Sequence, residues 1–377
     1  MKRDHKLIRD HKLIMVFSAV SVLAAGAVGI GIARTDPPPP PLAVVSRDVA
    51  IGPDGVLSVQ FVGDTMLGGA AQPVIDQFGY DWPLQFARES LTGDFVVATA
   101  EAPISTITLP WDLNKPYSYS TRPEAAAGLA RAGIDAVTLA NNHSLDTGPL
   151  GLTDTMVNAE AAGMATFGAG PDMARAEQPL LLRTQLGTIG IVGIGESFGT
   201  RVDDDEAGTV QFNPKTVRRG IDLARAAGAD WVIAHVHWGD NYAPIDGQQR
   251  YWAQQLADAG YDMVIGSGPH YVQPIEFIGA MPVVYSVGNF AFGAPGRFRD
   301  FAVPGLGLAV SVELSPDRAA HLSVRCLLTD NDIVAFQPRP CTPEEAEAYL
   351  PRLNPTMSMH RDVGVLPCGC FTRRDQQ

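Results

Sequence analysis

Asp64, Glu101, Asn141-Asn142-His143, His235 with His237, and His270 each stand where an apolar, strand-like run of this 377-residue chain stops. Carboxylates and amides offer hard oxygen donors and imidazoles offer nitrogen donors, so the set points to a divalent-metal site of one or two ions. It suits Mn, Fe or Zn, and the number of histidines argues against Mg alone. His235 and His237 lie two apart, on one face of a strand, where both can reach one ion. Singly, each cluster has a bland explanation. Gly63-Asp64 is an ordinary turn, Glu101 a salt-bridge partner, and Asn141-Asn142-His143 a helix cap continued by Asp146, Thr147 and Gly148. Either strand histidine, or His270, could be hydrogen-bonded without further purpose. Core histidines, however, have no reason to recur at successive strand ends. Asn289, in Tyr285-Ser286-Val287-Gly288-Asn289-Phe290, either lines the same cleft or caps a turn.

The elements that must position these residues follow from periodicity. Residues 57–62, 95–100, 134–140, 231–236 and 263–265 read as buried strands. Thr121, with Pro123 and Glu124 behind it, reads as a capping box opening a helix over 124–131, and a second helix spans 152–162. Residues 272–278 and 281–285 form a hairpin. Strands alternating with helices imply an α/β fold with a largely parallel sheet, whose ligands sit beyond the carboxyl ends of the strands. All five clusters then converge on one edge.

The N-terminus stands apart. Residues 1–12 carry five Lys/Arg and repeat Arg-Asp-His-Lys-Leu-Ile, and residues 13–33 are uncharged and largely apolar. At about 1.5 Å per residue that run spans a bilayer core of roughly 30 Å, with the basic flank on the cytoplasmic side. A single-pass anchor in the cell membrane with an extracytoplasmic main domain is the expectation; a cleaved signal peptide at Ala24-Ala25-Gly26-Ala27 is the alternative. Residues 34–55, with five prolines at 37–41, read as a stiff spacer. The chain carries a net charge of −13, all the more acidic beyond the basic N-terminus, which excludes the basic face a nucleic-acid binder needs. The four cysteines, Cys326, Cys341, Cys368 and Cys370, fall in a C-terminal extension, 316–377. Because Cys368-Gly-Cys370 is tight, each of the two is expected to bond to Cys326 or Cys341, with a zinc site as the lesser alternative.

A resemblance rests on Gly63-Asp64-x-Met66-Leu67, Glu101-x-Pro103-Ile104, Leu139-Ala140-Asn141-Asn142-His143-x-Leu145-Asp146-x-Gly148, His237-Trp238-Gly239, Pro269-His270-Tyr271-Val272-Gln273-Pro274-Ile275-Glu276 and Tyr285-Ser286-x-Gly288-Asn289-Phe290. In this order they resemble the CapA family of bacterial capsule proteins, of the calcineurin-like metallophosphoesterase superfamily, over residues 56–315. The resemblance implies a two-sheet β-sandwich flanked by helices. It also implies Asp64, Glu101, Asn142, His237 and His270 as metal-site residues, and His143 beside the reacting group as proton donor to the leaving oxygen. Asp64 is then both ligand and catalytic residue. Family members commonly have Asn where this chain has Thr99, and His where it has Gly268; glycine has no side chain to ligate, leaving His235 or Ser267 to replace it.

The expected function is a membrane-anchored protein of capsule or poly-γ-glutamate synthesis or export. Its partners would be an anionic polymer or its precursor, the membrane and other capsule-synthesis membrane proteins. The alternative is an exported metal-dependent phosphoesterase or amide hydrolase of the envelope.

Overall fold

The computed structural model describes residues 45–196, 202–203, 205–316, 320–369 and 371, all within one compact unit, Leu42–Gln377. The expected anchor at 13–33 and the prolines at 37–41 lie outside the described residues. No helix among the described residues is long and apolar enough to cross a membrane.

Strand alternation builds two packed sheets. In Phe95–Ala100, Phe95 and Val97 enter one apolar cluster while Val96, Ala98 and Ala100 enter another. In Trp231–His237, Trp231 and Ile233 join the first of these clusters, whereas Val232, Ala234 and Val236 join a third. The shared cluster is therefore the space between the sheets, and the other two lie under helices on the outer faces. Helices Gln72–Phe78, Glu124–Ala132 and Gly148–Ala161 cover one sheet. Helices Pro214–Ala226 and Gly247–Ala259 cover the other.

Each sheet has a parallel centre of four strands and an antiparallel flank, so the sheets are mixed. One runs Thr188–Gly195, Trp231–His237, Met263–Ser267, Met281–Val284, with Leu180–Arg183 and Ile275–Ile278 antiparallel at its sides. The other runs Leu57–Met66, Phe95–Ala100, Ala136–Thr138, Ala165–Phe167. Its antiparallel flank is Leu306–Leu314, Ala320–Leu328 and Val363–Cys368. Asn289–Phe292 pairs parallel with Leu57–Met66, bringing Asn289 opposite Asp64.

Four expectations change. Ser46–Asp48, read as spacer, is an edge strand parallel to Leu180–Arg183, because its backbone finds an open sheet edge. The 316–377 extension supplies strands of a central sheet rather than an appended tail. Thr121 caps nothing: it is bridged to Ile104 and its hydroxyl donates to the Leu67 carbonyl, while Pro123 begins the helix without a side-chain cap. The cysteine pairing also differs. Cys326 is bonded to Cys341, because the chain returns antiparallel along Ala320–Leu328, Leu327 opposite Pro340, and sets the two Cα atoms 5.5 Å apart. Cys368 is disulfide-bonded as well, and not to either of them.

Candidate metal centre

The strand Leu57–Met66 carries a bulge that decides where Asp64 points. Pairing with Phe95–Ala100 sets Phe61 opposite Val97 but Asp64 opposite Thr99, so one extra residue is accommodated between them. Val62 consequently faces the helices and Asp64 the space between the sheets, the face Thr99 occupies. Gly63 permits this, since a Cβ there would collide with the Gly288 carbonyl.

Around Asp64 strand ends of both sheets meet, rather than those of one sheet edge. Asp64 and Glu101 are fully buried. His237 lies 3.6 Å from Asp64 Oδ1 through Nδ1 and 3.6 Å from Glu101 Oε1 through Nε2. His270 lies 3.4 Å from Asp64 Oδ2 and 3.6 Å from Glu101 Oε1. Asp64, Glu101 and His270 each offer a donor atom within 4.8 Å of the others. Asn289 Oδ1, 2.9 Å from His270 Nδ1, fixes that ring so that Nε2 faces Glu101. His270 itself is held at φ 54°, a left-handed backbone that a histidine rarely adopts.

The donor set fits a cation on an independent observation. Asp64 Oδ1, Glu101 Oε2 and Asn142 Oδ1 are buried oxygens without any hydrogen-bond partner. The carboxylate oxygens of an ionised Asp or Glu only accept, and leaving them unpaired out of water is costly. A positive ion among them removes that cost.

His235 is placed otherwise. It sits two residues deeper in its strand, beside Phe61 and Phe167 at ring distances of 5.6 and 6.1 Å, with Nε2 3.4 Å from Thr99 Oγ1. Burial lowers its pKa to about 3, so it is a neutral ring of the inter-sheet core. Ser267 Oγ lies 3.1 Å from both His237 Nδ1 and Thr99 Oγ1, orienting His237 from behind.

His143 belongs to a second group on the same rim. Its Nδ1 is 2.6 Å from Asp146 Oδ2, and its Nε2 points inward, 4.0 Å from Glu101 Oε1. Asp146 also pairs with the Lys115 ammonium and accepts from the Tyr119 N–H at 2.6 Å. The Tyr119 ring covers the imidazole at 4.3 Å. Lys115 and Tyr119 were beyond sequence reasoning because their loop has neither strand nor helix periodicity. Glu196 was missed although an apolar strand, Thr188–Gly195, ends directly before it. It lines a cleft of about 760 Å³ with Asn142, His237, Gly268 and Trp252.

Electrostatics separate the groups. Burial pushes the Glu101 carboxyl well above its ordinary value. Burial pushes Asp64 up too, but the hydrogen bond from His270, the charges of His237 and His270 and the Gly268 N–H, 3.0 Å from Oδ2, outweigh it and leave Asp64 low. His270 is pushed down by burial and, more strongly, up by Glu101 and Asp64, to about 9. His237 falls to about 4, chiefly through burial. Burial also lowers His143, opposed by Asp146. Asp146→Asn removes that opposition, so the His143 pKa falls further, as an NMR titration of the ring will show; an increase would contradict the assignment.

The family model described as "Bacterial capsule synthesis protein PGA_cap" matches residues 58–294. The chain is 29% identical over 247 residues to the PGA biosynthesis protein CapA of Bacillus subtilis (strain 168), covering 63% of this chain and 64% of that protein. It is 30% identical over 248 residues to a probable polyglutamine synthesis accessory protein of Mycobacterium tuberculosis (strain ATCC 25618 / H37Rv), covering 58% of this chain and 64% of that protein. The chain thus spans less than two thirds of the length of these relatives. Among solved structures, the NAD nucleotidase of Haemophilus influenzae is similar with a TM-score of 0.41 and 11% identity, covering 81% of this chain and 57% of that chain. The matched segment begins in the bulged strand that carries Asp64 and ends just after Asn289–Phe292, so it holds every strand end that meets at the centre, and the chain belongs to the bacterial capsule synthesis protein PGA_cap family.

Proposed function

We propose that this chain is a CapA-type protein of capsule or poly-γ-glutamate synthesis or export. In this reading residues 13–33 hold it on the cell membrane, and the folded domain outside handles an anionic polymer or its precursor through a calcineurin-like metal site. Three unpartnered buried oxygens, on Asp64, Glu101 and Asn142, carry the metal reading, and the rings of His237 and His270 lie within 3.6 Å of both carboxylates. These five residues would hold the ion, and Mn, Fe or Zn suits their oxygen and imidazole donors. When bound, a divalent ion supplies Lewis acidity toward a phosphoryl or carbonyl oxygen.

The chain's own residues do the rest. Asp146 fixes the His143 ring through Nδ1, which leaves Nε2 facing the site as the position where a proton is held or released. Tyr119 covers the His143 ring, and Phe292 packs against Tyr119. This arrangement favours a second reading, a hydrolase of phosphate or amide linkages in the envelope, with His143 protonating the leaving group.

Elemental analysis of the purified full chain, reconstituted separately with Mn, Fe and Zn, tests the site. About one equivalent is expected, and His237→Ala should lose it. A wild-type protein that stays free of metal after all three reconstitutions would sink the metal reading.

A further inference from the structure

The metal cluster is ringed by acids, yet one cation at its rim has no acidic partner. Most arginines near the surface are paired: Arg122 with Asp76, Arg131 with Asp81, Arg250 with Glu276, and Arg299, two residues away, with Asp332. Arg297 forms no salt bridge among the described residues. Its guanidinium lies instead over two tyrosine rings, 5.3 Å from the Tyr117 centroid and 5.7 Å from that of Tyr242. Tyr242 in turn lies 5.8 Å from the His270 ring. One tyrosine therefore touches the metal cluster on one side and the guanidinium on the other.

This placement has a chemical consequence. A flat cation stacked on aromatic faces is pre-oriented but not neutralised, and its N–H fork remains open to a planar anion. In a chain of net charge −13, an anionic substrate needs such a point of entry. The cleft lined by His237, Glu196, Asp240 and Asp246 offers none, since no lysine or arginine lines it.

We infer that Arg297, stacked on Tyr117 and Tyr242, is a specificity-determining residue that binds a carboxylate of the substrate and so places the neighbouring linkage over the metal cluster. The inference rests on the polymer-handling reading above, and it adds which side of the site takes the negative group. The acidic cleft then receives the uncharged or hydrogen-bond-donating part.

The test compares two synthetic probes at fixed ionic strength. One is a γ-linked glutamate pentamer; the other is the same pentamer with its free carboxylates converted to amides. Calorimetric titration of the full chain should show wild type preferring the acid by about tenfold or more, the expected size for a charge-assisted contact. Arg297→Gln should abolish that preference while metal content, measured on the same samples, stays at the wild-type level. A variant that retains the preference overturns the inference, as does a wild type that binds both pentamers equally. Because metal content is read separately, a metal-free wild type that still prefers the acid would remove the metal reading and leave the Arg297 subsite standing.

Discussion

Glu101→Gln should abolish metal binding and at the same time stabilise the metal-free protein. The two effects have one cause. Glu101 is a fully buried carboxyl whose Oε2 has no partner and whose neighbours include the Asp64 and Asp146 charges. Burial raises its pKa in the folded state well above 4.5, so the folded chain holds a proton that the unfolded chain releases. Metal-free wild type accordingly loses stability as pH rises from about 4.5 through the raised value. Glutamine carries no such charge. The variant's advantage in urea unfolding should therefore be small near pH 5 and grow to about 1–3 kcal/mol at higher pH, within the range for relieving an unpaired buried polar group. With metal the order reverses. Wild type gains about 4 kcal/mol at a thousandfold excess over its dissociation constant, and the variant gains nothing measurable. Equal metal-dependent stabilisation of the two proteins would show that Glu101 is not a ligand.

Gly268→His, which restores the residue that relatives are expected to carry there, should destabilise the protein by about 2–5 kcal/mol and add no metal. Gly268 sits at φ +110°, and a Cβ there would lie 2.8 Å from the Trp238 carbonyl oxygen and 3.1 Å from its nitrogen. These are backbone atoms of the segment that leaves the His237 strand, and they cannot yield as a flexible side chain would. Moving them would also disturb the Gly268 N–H that donates to Asp64 Oδ2. The backbone, and not only the missing imidazole, commits this position to glycine. Gly268→Ala separates the two contributions: it should carry most of the stability loss, with the histidine ring adding little. Metal content and the urea midpoint of both variants check this. A Gly268→His protein of wild-type stability with a second metal equivalent would refute it.

The amino-acid sequence by itself determined which side chains end the strands. Residues 57–62, 95–100 and 231–236 run apolar, and a carboxylate or imidazole stands at the end of each run, so Asp64, Glu101 and His237 were legible as strand-end residues. The same local rule reaches Glu196. What an apolar run cannot give is facing and partnership. Asp64 points between the sheets only because the strand gains one residue after Phe61, and that bulge is set by its pairing with Phe95–Ala100 and by the close approach of Gly288. His235 and His237 share a strand face and look equivalent in sequence. Depth along the strand puts one among phenylalanines and the other between two carboxylates. Lys115 reaches Asp146 from 31 residues away, and Cys341 meets Cys326 because a returning strand brings it there. A strand's periodicity is a property of neighbouring residues, whereas bulges, register and loop closure depend on segments far apart in the chain, and only the tertiary structure decides them.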